Sequence, residues 1–306
     1  YALRTLDPSI QFLVMDAETR HLSSSAAYEI VYDITEQAVK QGIPYIYKKT
    51  DSALRGNIGS ELAAVLRASG AKGLSFFPSF PKMRRFTENG ILYIDGVPVE
   101  QSVFGRDPFE PVTCSYVPDL IRRQTNTPVS VRSLSDSQSG LGPPEGITIW
   151  DGRTDEELME MGAFLKSRER LHITAGCAGF AAVLSRPLGL SGRLAPLPAF
   201  SPSFLVICGS VNPITVSQLD DAEMRGFMRI RLTPEEKLGT SFWISPEGKA
   251  KLRHWFELIR THTRVILDSS DPPGSAATRQ YADSRSLGLT DIRTRISDSY
   301  GRILKG

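Results

Sequence analysis

Short apolar runs alternate with amphipathic stretches along most of this chain. Apolar runs predict strands at residues 11–15, 44–47, 74–77, 147–150, 172–174, 204–208, 227–232 and 264–267. Helical periodicity predicts helices at 25–40, 58–68, 155–167, 179–184, 214–223, 247–260 and 289–304. Strand and helix alternate in both halves, the pattern of an α/β protein with mainly parallel sheets flanked by helices. Helix starts carry their usual signals: Ser23-Ser24-Ser25 precedes the first, and Thr154-Asp155-Glu156-Glu157 opens another with acid at the positive end of the dipole.

Residues 80–118 break the rhythm with Pro, Gly and charge. Inside them, Ile91-Leu92-Tyr93-Ile94-Asp95-Gly96-Val97-Pro98-Val99 predicts strand, turn at Asp95-Gly96, and strand. This reads as a β excursion, a flap or an interdomain surface. Its Val, Phe and Tyr residues suggest a homodimer contact. A second soft region, 186–203, holds Pro187, Pro196, Pro198 and Pro202 with Gly189 and Gly192, and marks the expected linker. With 306 residues the chain exceeds one ordinary core of about 250–300 residues. Two domains are therefore expected, 1–185 and 204–306.

Charge and composition narrow the partners. Lys plus Arg total 36 against 34 acids, a net +2, so there is no global basic field for nucleic acid. Any anion must be gripped locally. Apolar runs reach about five residues where a membrane span needs about 20. The 3 cysteines are odd in number and form no CxxC, which argues against disulfides and structural zinc and for a reducing cytoplasm. The 4 histidines form no HExxH. GxGxxG is absent, against an NAD-dependent dehydrogenase. A Walker A loop and GxSxG are absent too.

The densest chemistry is Tyr47-Lys48-Lys49-Thr50-Asp51-Ser52-Ala53-Leu54-Arg55-Gly56-Asn57-Ile58-Gly59, between a predicted strand and a predicted helix. Ligands of open α/β sheets bind beyond the carboxyl ends of strands. Lys and Arg can grip a carboxylate, Asp and Ser can position sugar hydroxyls, and the amides of the next helix start favour an anion. The competing reading is a solvated turn in which Asp51 or Ser52 caps the helix. Asp16-Ala17-Glu18-Thr19-Arg20-His21 follows another predicted strand; Arg20 reaches a site there, or the segment is a surface loop. Cys208-Gly209-Ser210-Val211-Asn212-Pro213-Ile214-Thr215 is either a phosphate-holding strand-to-helix turn or an ordinary one. In Thr174-Ala175-Gly176-Cys177-Ala178-Gly179 the glycines are read as packing residues, and Cys177 lacks the basic partner a nucleophile needs. Arg84-Arg85 is a solvated pair or an anion-facing loop.

The run from Lys48 to Gly59 resembles the KKTDSTLRGNxG signature of the four-carbon acid sugar kinases. Asp16–His21 is similar to that family's D-x-E-x-R-H segment, Tyr93–Pro98 with Asp107-Pro108 to its YVDGVP…DP stretch, and Gly209-Ser210 with Pro213 and Thr215 to its GSxxPxT. The resemblance implies an ATP-dependent kinase acting on a hydroxyl of a four-carbon sugar acid such as threonate, erythronate or a keto derivative. The alternative is a non-catalytic acid-binding or regulatory protein of the same fold. The implied substrate contacts are Arg20, Lys48, Lys49, Thr50, Asp51, Ser52 and Arg55. Gly209 and Ser210 would contact ATP, with Mg²⁺ as its companion, and the two substrates would meet across an interdomain cleft. Arg84-Arg85-Phe86-Thr87 stands where the family has a small residue followed by Arg-Thr-Thr, and Asn212 where it has Ser. The resemblance also implies an Asp-Asp-x-Thr-Gly-Ala segment before Tyr1, which would supply the base, and a Gly-Gly-(Asp/Glu)-Thr loop beyond Gly306. On that reading the chain is the middle of a longer kinase and is inactive alone.

Overall fold

The computed structural model describes residues 10–107, 110–138, 145–190 and 203–305, with 192, 196 and 199. Much of the expected linker at 186–203, and Pro108, lie outside the described residues. The chain divides into two compact units, Tyr1–Arg193 and Leu194–Gly306.

The first unit runs α1 (Ser24–Lys40), β1 (Ile46–Lys49), α2 (Ile58–Ser69), β2 (Gly73–Phe77), β3 (Arg85–Glu88), β4 (Ile91–Ile94), β5 (Val97–Pro98), α3 (Val117–Arg122), β6 (Val129–Arg132), α4 (Leu134–Gln138), β7 (Gly146–Trp150), α5 (Asp155–Ser167), β8 (Ile173–Gly176) and α6 (Ala178–Leu184). Its main sheet has the order β1-β8-β2-β7-β6, and every pairing is parallel. Alternation along the strands sends side chains to two cores. Leu74, Phe76, Ile147 and Ile149 pack on one face with Ile58, Leu62 and Val65 of α2 and Ile121 of α3. Phe77 and Trp150 pack on the other with Leu158, Met161 and Phe180 of α5 and α6. Helices cover both faces, which is why β2 and β7 read as continuous apolar runs. Ser23 caps α1 and Thr154 caps α5, as their signals predicted.

The β excursion is a three-stranded sheet, β3-β4-β5, antiparallel throughout. Asp95 (φ 52°) and Gly96 (φ 85°) both take the left-handed conformation at the predicted turn. Asn89 (φ 51°) and Gly90 (φ 75°) repeat it between β3 and β4, and this Asn-Gly hairpin signal makes β3 a strand that apolar runs alone miss. Phe86 and Tyr93 stack on each other with centroids 5.0 Å apart.

One predicted strand does not form. Residues 11–15 pair with no strand among the described residues, and Phe12 and Val14 are 73% and 74% exposed. Apolar spacing marks a segment able to extend, but its N–H and C=O groups need a neighbouring edge. β1 starts two residues later than predicted, and β6 is an added edge strand. No described helix is long and apolar enough to cross a membrane.

The second unit runs β9 (Phe204–Cys208), α7 (Pro213–Met224), β10 (Met228–Arg231), α8 (Pro234–Leu238), α9 (Pro246–Thr261), β11 (Arg264–Asp268), α10 (Ala277–Asp283) and α11 (Leu289–Lys305). Its parallel sheet has the order β10-β11-β9. Leu267 joins Trp243, Trp255 and Ile303 on one face. Ile266 joins Leu219 of α7 on the other.

Candidate functional site

The turn after β1 lies beside the ends of β8 and β2. The Thr50 amide donates to the Gly176 carbonyl at 2.8 Å, and the Cys177 amide donates to the Phe77 carbonyl at 3.2 Å. Asp51 organises this turn. Its Oδ2 accepts from the amides of Ala53 (3.1 Å) and Arg55 (3.3 Å) and from Arg55 Nε (3.0 Å), while Oδ1 accepts from Arg55 Nη2 at 3.0 Å. Burial pushes the Asp51 carboxyl up, but the bonds from Arg55 outweigh it and hold the group below the usual carboxylate range. Leu54, buried at φ 63°, adopts a backbone that a bulky residue rarely takes. The fork of Arg55 on Asp51 spans that strained position. Arg55 Nη1 reaches Asp107 at 3.0 Å, and its guanidinium lies 5.1 Å from the Phe104 ring.

Gly56 and Asn57 attach the segment carrying Arg20. Asn57 Nδ2 donates to the carbonyls of Thr19 (3.0 Å) and Leu22 (2.9 Å), and Ser24 Oγ donates to Asn57 Oδ1 at 3.1 Å. Arg20 is held between two carboxylates, 3.7 Å from Asp51 Oδ1 and 3.6 Å from Glu110 Oε2. His21 meets Glu110 as well, at 2.5 Å. Arg20, which sequence separates from Asp51, is therefore brought to it.

Strand alternation splits the two lysines. Lys48 Nζ pairs with Glu61 of α2 at 2.6 Å, and Glu61, only 5% exposed, also accepts from Thr19 Oγ1 at 2.5 Å. Lys49 is exposed and makes no ion pair among the described residues. Thr50 is buried and its hydroxyl has no hydrogen-bond partner among the described residues. Ser52 Oγ accepts from Arg85 Nη1, a residue of β3 that the sequence left as one of two readings. The hairpin brings it here, and its signal was the Asn89-Gly90 turn that makes β3 a strand.

The amides at the start of α2, offered above as an anion site, are already used. Gln124 Oε1 accepts from Gly59 (2.7 Å) and Ser60 (3.3 Å), and Gln124 Nε2 donates to the Gly56 carbonyl at 3.1 Å. The glycines of the β8–α6 turn are packing residues. A Cβ on Gly176 would lie 2.4 Å from the Phe77 carbonyl oxygen, and one on Gly179 2.4 Å from that of Ser79. Burial pushes the Cys177 thiol up, which suits no nucleophile.

A family model described as a sugar-binding N-terminal domain matches residues 2–184. The chain belongs to this family. Curated relatives of this chain carry the names of four-carbon acid sugar kinases, in agreement with the motif from Lys48 to Gly59. A D-threonate kinase of Salmonella typhimurium is 30% identical over 70% of this chain and 52% of its own length. A D-erythronate kinase of Heliobacterium modesticaldum is 27% identical over 67% and 49%. A 3-oxo-tetronate kinase of Pseudomonas fluorescens is 26% identical over 56% and 43%. The chain thus spans about half the length of these relatives. The crystal structure of a Haemophilus influenzae protein of the DUF1537 family shares the fold, with a TM-score of 0.64 at 15% identity over 94% of this chain and 70% of that one.

The second unit presents its own turn, after β9. Ser210 Oγ donates to Thr215 Oγ1 at 3.3 Å and accepts from the Asn212 amide at 3.2 Å. Asn212 caps α7 by accepting from the Ile214 amide at 2.9 Å. Gly209 is exposed, and a Cβ there would meet nothing nearer than Tyr300 at 3.8 Å. The first turn of α7 carries no acid, unlike those of α5 and α8, so its positive end is left for other anions. Sequence reasoning passed over the neighbouring end of β11. There Asp268 is fully buried and takes Arg229 Nη2 at 2.7 Å, while Ser269 and Tyr300 both donate to the Cys208 carbonyl. These bonds anchor the end of β9 from which Gly209 and Ser210 extend.

Proposed function

We propose that the full protein is a kinase transferring a phosphoryl group from ATP to a hydroxyl of a four-carbon sugar acid. The observation that carries this reading is the meeting of Arg20, Asp51, Ser52 and Arg55 in one charged turn of a sugar-binding domain. Such a turn suits a small hydroxy acid: cations for its carboxylate, Ser52 and Oδ1 of Asp51 for its hydroxyls. Lys48 and Arg55 act mainly by holding Glu61, Asp51 and Asp107 in place.

The donors after β9 suit phosphate oxygens: the hydroxyls of Ser210 and Thr215 and the turn amides from Gly209, ahead of a helix start without acid. ATP would bind there, its phosphates gripped by Ser210. Among the described residues no group of three or more His, Cys, Asp or Glu could hold a metal. Mg²⁺ would be carried by the nucleotide phosphates, where it would offset charge in the transfer.

The test is ATP consumption by the full-length protein with Mg²⁺ against threonate, erythronate and 3-oxo-tetronate. Turnover of at least one acid is expected, falling at least a hundredfold in kcat/KM for Arg20→Ala with an unchanged melting temperature. Acid binding without turnover of any of them would replace the kinase by a binding module.

A further inference from the structure

Arg20, Lys48 and Arg55 each meet a carboxylate of this chain. Arg85 does not: among the described residues its guanidinium makes one hydrogen bond, from Nη1 to Ser52 Oγ. Its Nε is shielded, and neither Nε nor Nη2 has a hydrogen-bond partner among those residues. Asp51, Asp107 and Glu110 are each taken by Arg20, Arg55 or His21. The charge of Arg85 is matched by no carboxylate among the described residues.

Its position is built. β3 pairs with β4 so that Arg85 lies opposite Ile94, and the Phe104 ring supports the guanidinium from 4.9 Å. Arg55 flanks the same ring at 5.1 Å. Stacking on an aromatic face holds the guanidinium in place, and with Nε shielded and Nη1 on Ser52, Nη2 is the donor left to meet an acid.

We infer that Arg85 binds the carboxylate of the ligand and selects acids over uncharged sugars. This deepens the reading of the first unit as an acid-binding site and rests on it. Arg20, already shared between Asp51 and Glu110, is left to orient hydroxyls.

The test uses the full-length protein and isothermal titration with threonate, erythronate and their uncharged amides. Wild type is expected to prefer each acid over its amide by about tenfold or more. Arg85→Ala should erase most of that preference while changing amide affinity less than about twofold; Arg85→Lys should retain part of it. A residue that merely props up Ser52 would weaken acid and amide alike. Arg85→Gln, which keeps a donor toward Ser52, carries the same comparison if the alanine variant melts early. An unchanged acid preference, or an equal loss for both ligands, overturns the assignment of Arg85 alone. If wild type binds neither threonate nor erythronate, the acid-binding reading falls, and this inference with it.

Discussion

A Cβ placed on Gly56 would lie 2.7 Å from Cγ of Arg20. The two residues are neighbours only because Asn57 ties the Arg20 segment to the start of α2. Gly56 also sits at φ +87°, where side chains are strained. Gly56→Ala therefore carries two penalties, and a loss of about 2–3 kcal/mol is expected with weakened acid binding. Gly70→Ala is the control: its φ is +68° but its surroundings are open, so about 1 kcal/mol is expected. Urea melts of both variants check this; equal losses would remove the close packing of Gly56 on Arg20 from the explanation.

Asp51 gives a pH signature. Its carboxyl is held below the usual range, so its folded-state bonds stabilise fully above the unfolded value of about 3.9. That contribution is lost as pH falls through the lower folded value. The stability gap between wild type and Asp51→Asn should be flat from about pH 7 to 5 and narrow below about pH 4. A gap that widens toward acid in a series of denaturant titrations would contradict the ion pair with Arg55.

Lys48 and Glu61 form a largely buried pair, with side chains 18% and 6% exposed. Removing the cation alone strands a carboxylate against Thr19. Lys48→Met should cost about 2–4 kcal/mol, and Lys48→Met with Glu61→Leu should recover much of it, because burying a charge without a partner is the dominant cost. Equal stability of the single and double variants would show that Glu61 finds water instead.

The site divides by how far each contact reaches. The fork of Arg55 on Asp51 spans four positions of one turn, a distance that spacing alone could suggest. The contact of Arg20 with Asp51 crosses from a different loop, and Arg85 arrives from a hairpin. Neither approach is encoded locally. Gln124, which takes the α2 amides, comes from beyond α3, so a helix start that looked open to an anion is closed by a distant side chain.

Local chemistry in the sequence determined most of the architecture. Strand alternation, helix periodicity, capping residues and the Asp95-Gly96 turn act over a few residues, and the elements they mark form. The same locality explains the failure at residues 11–15, since extension needs a partner edge that no short-range signal supplies. The motif from Lys48 to Gly59 indicated the family. Only the tertiary structure decided how its charges are spent. Pairing depends on distances of 2.6–3.7 Å between residues from different elements, because opposite charges in a partly dehydrated turn bind whichever partner packing brings within reach. Packing assigned carboxylates to Arg20, Lys48 and Arg55, and left Arg85 and Lys49 without one among the described residues.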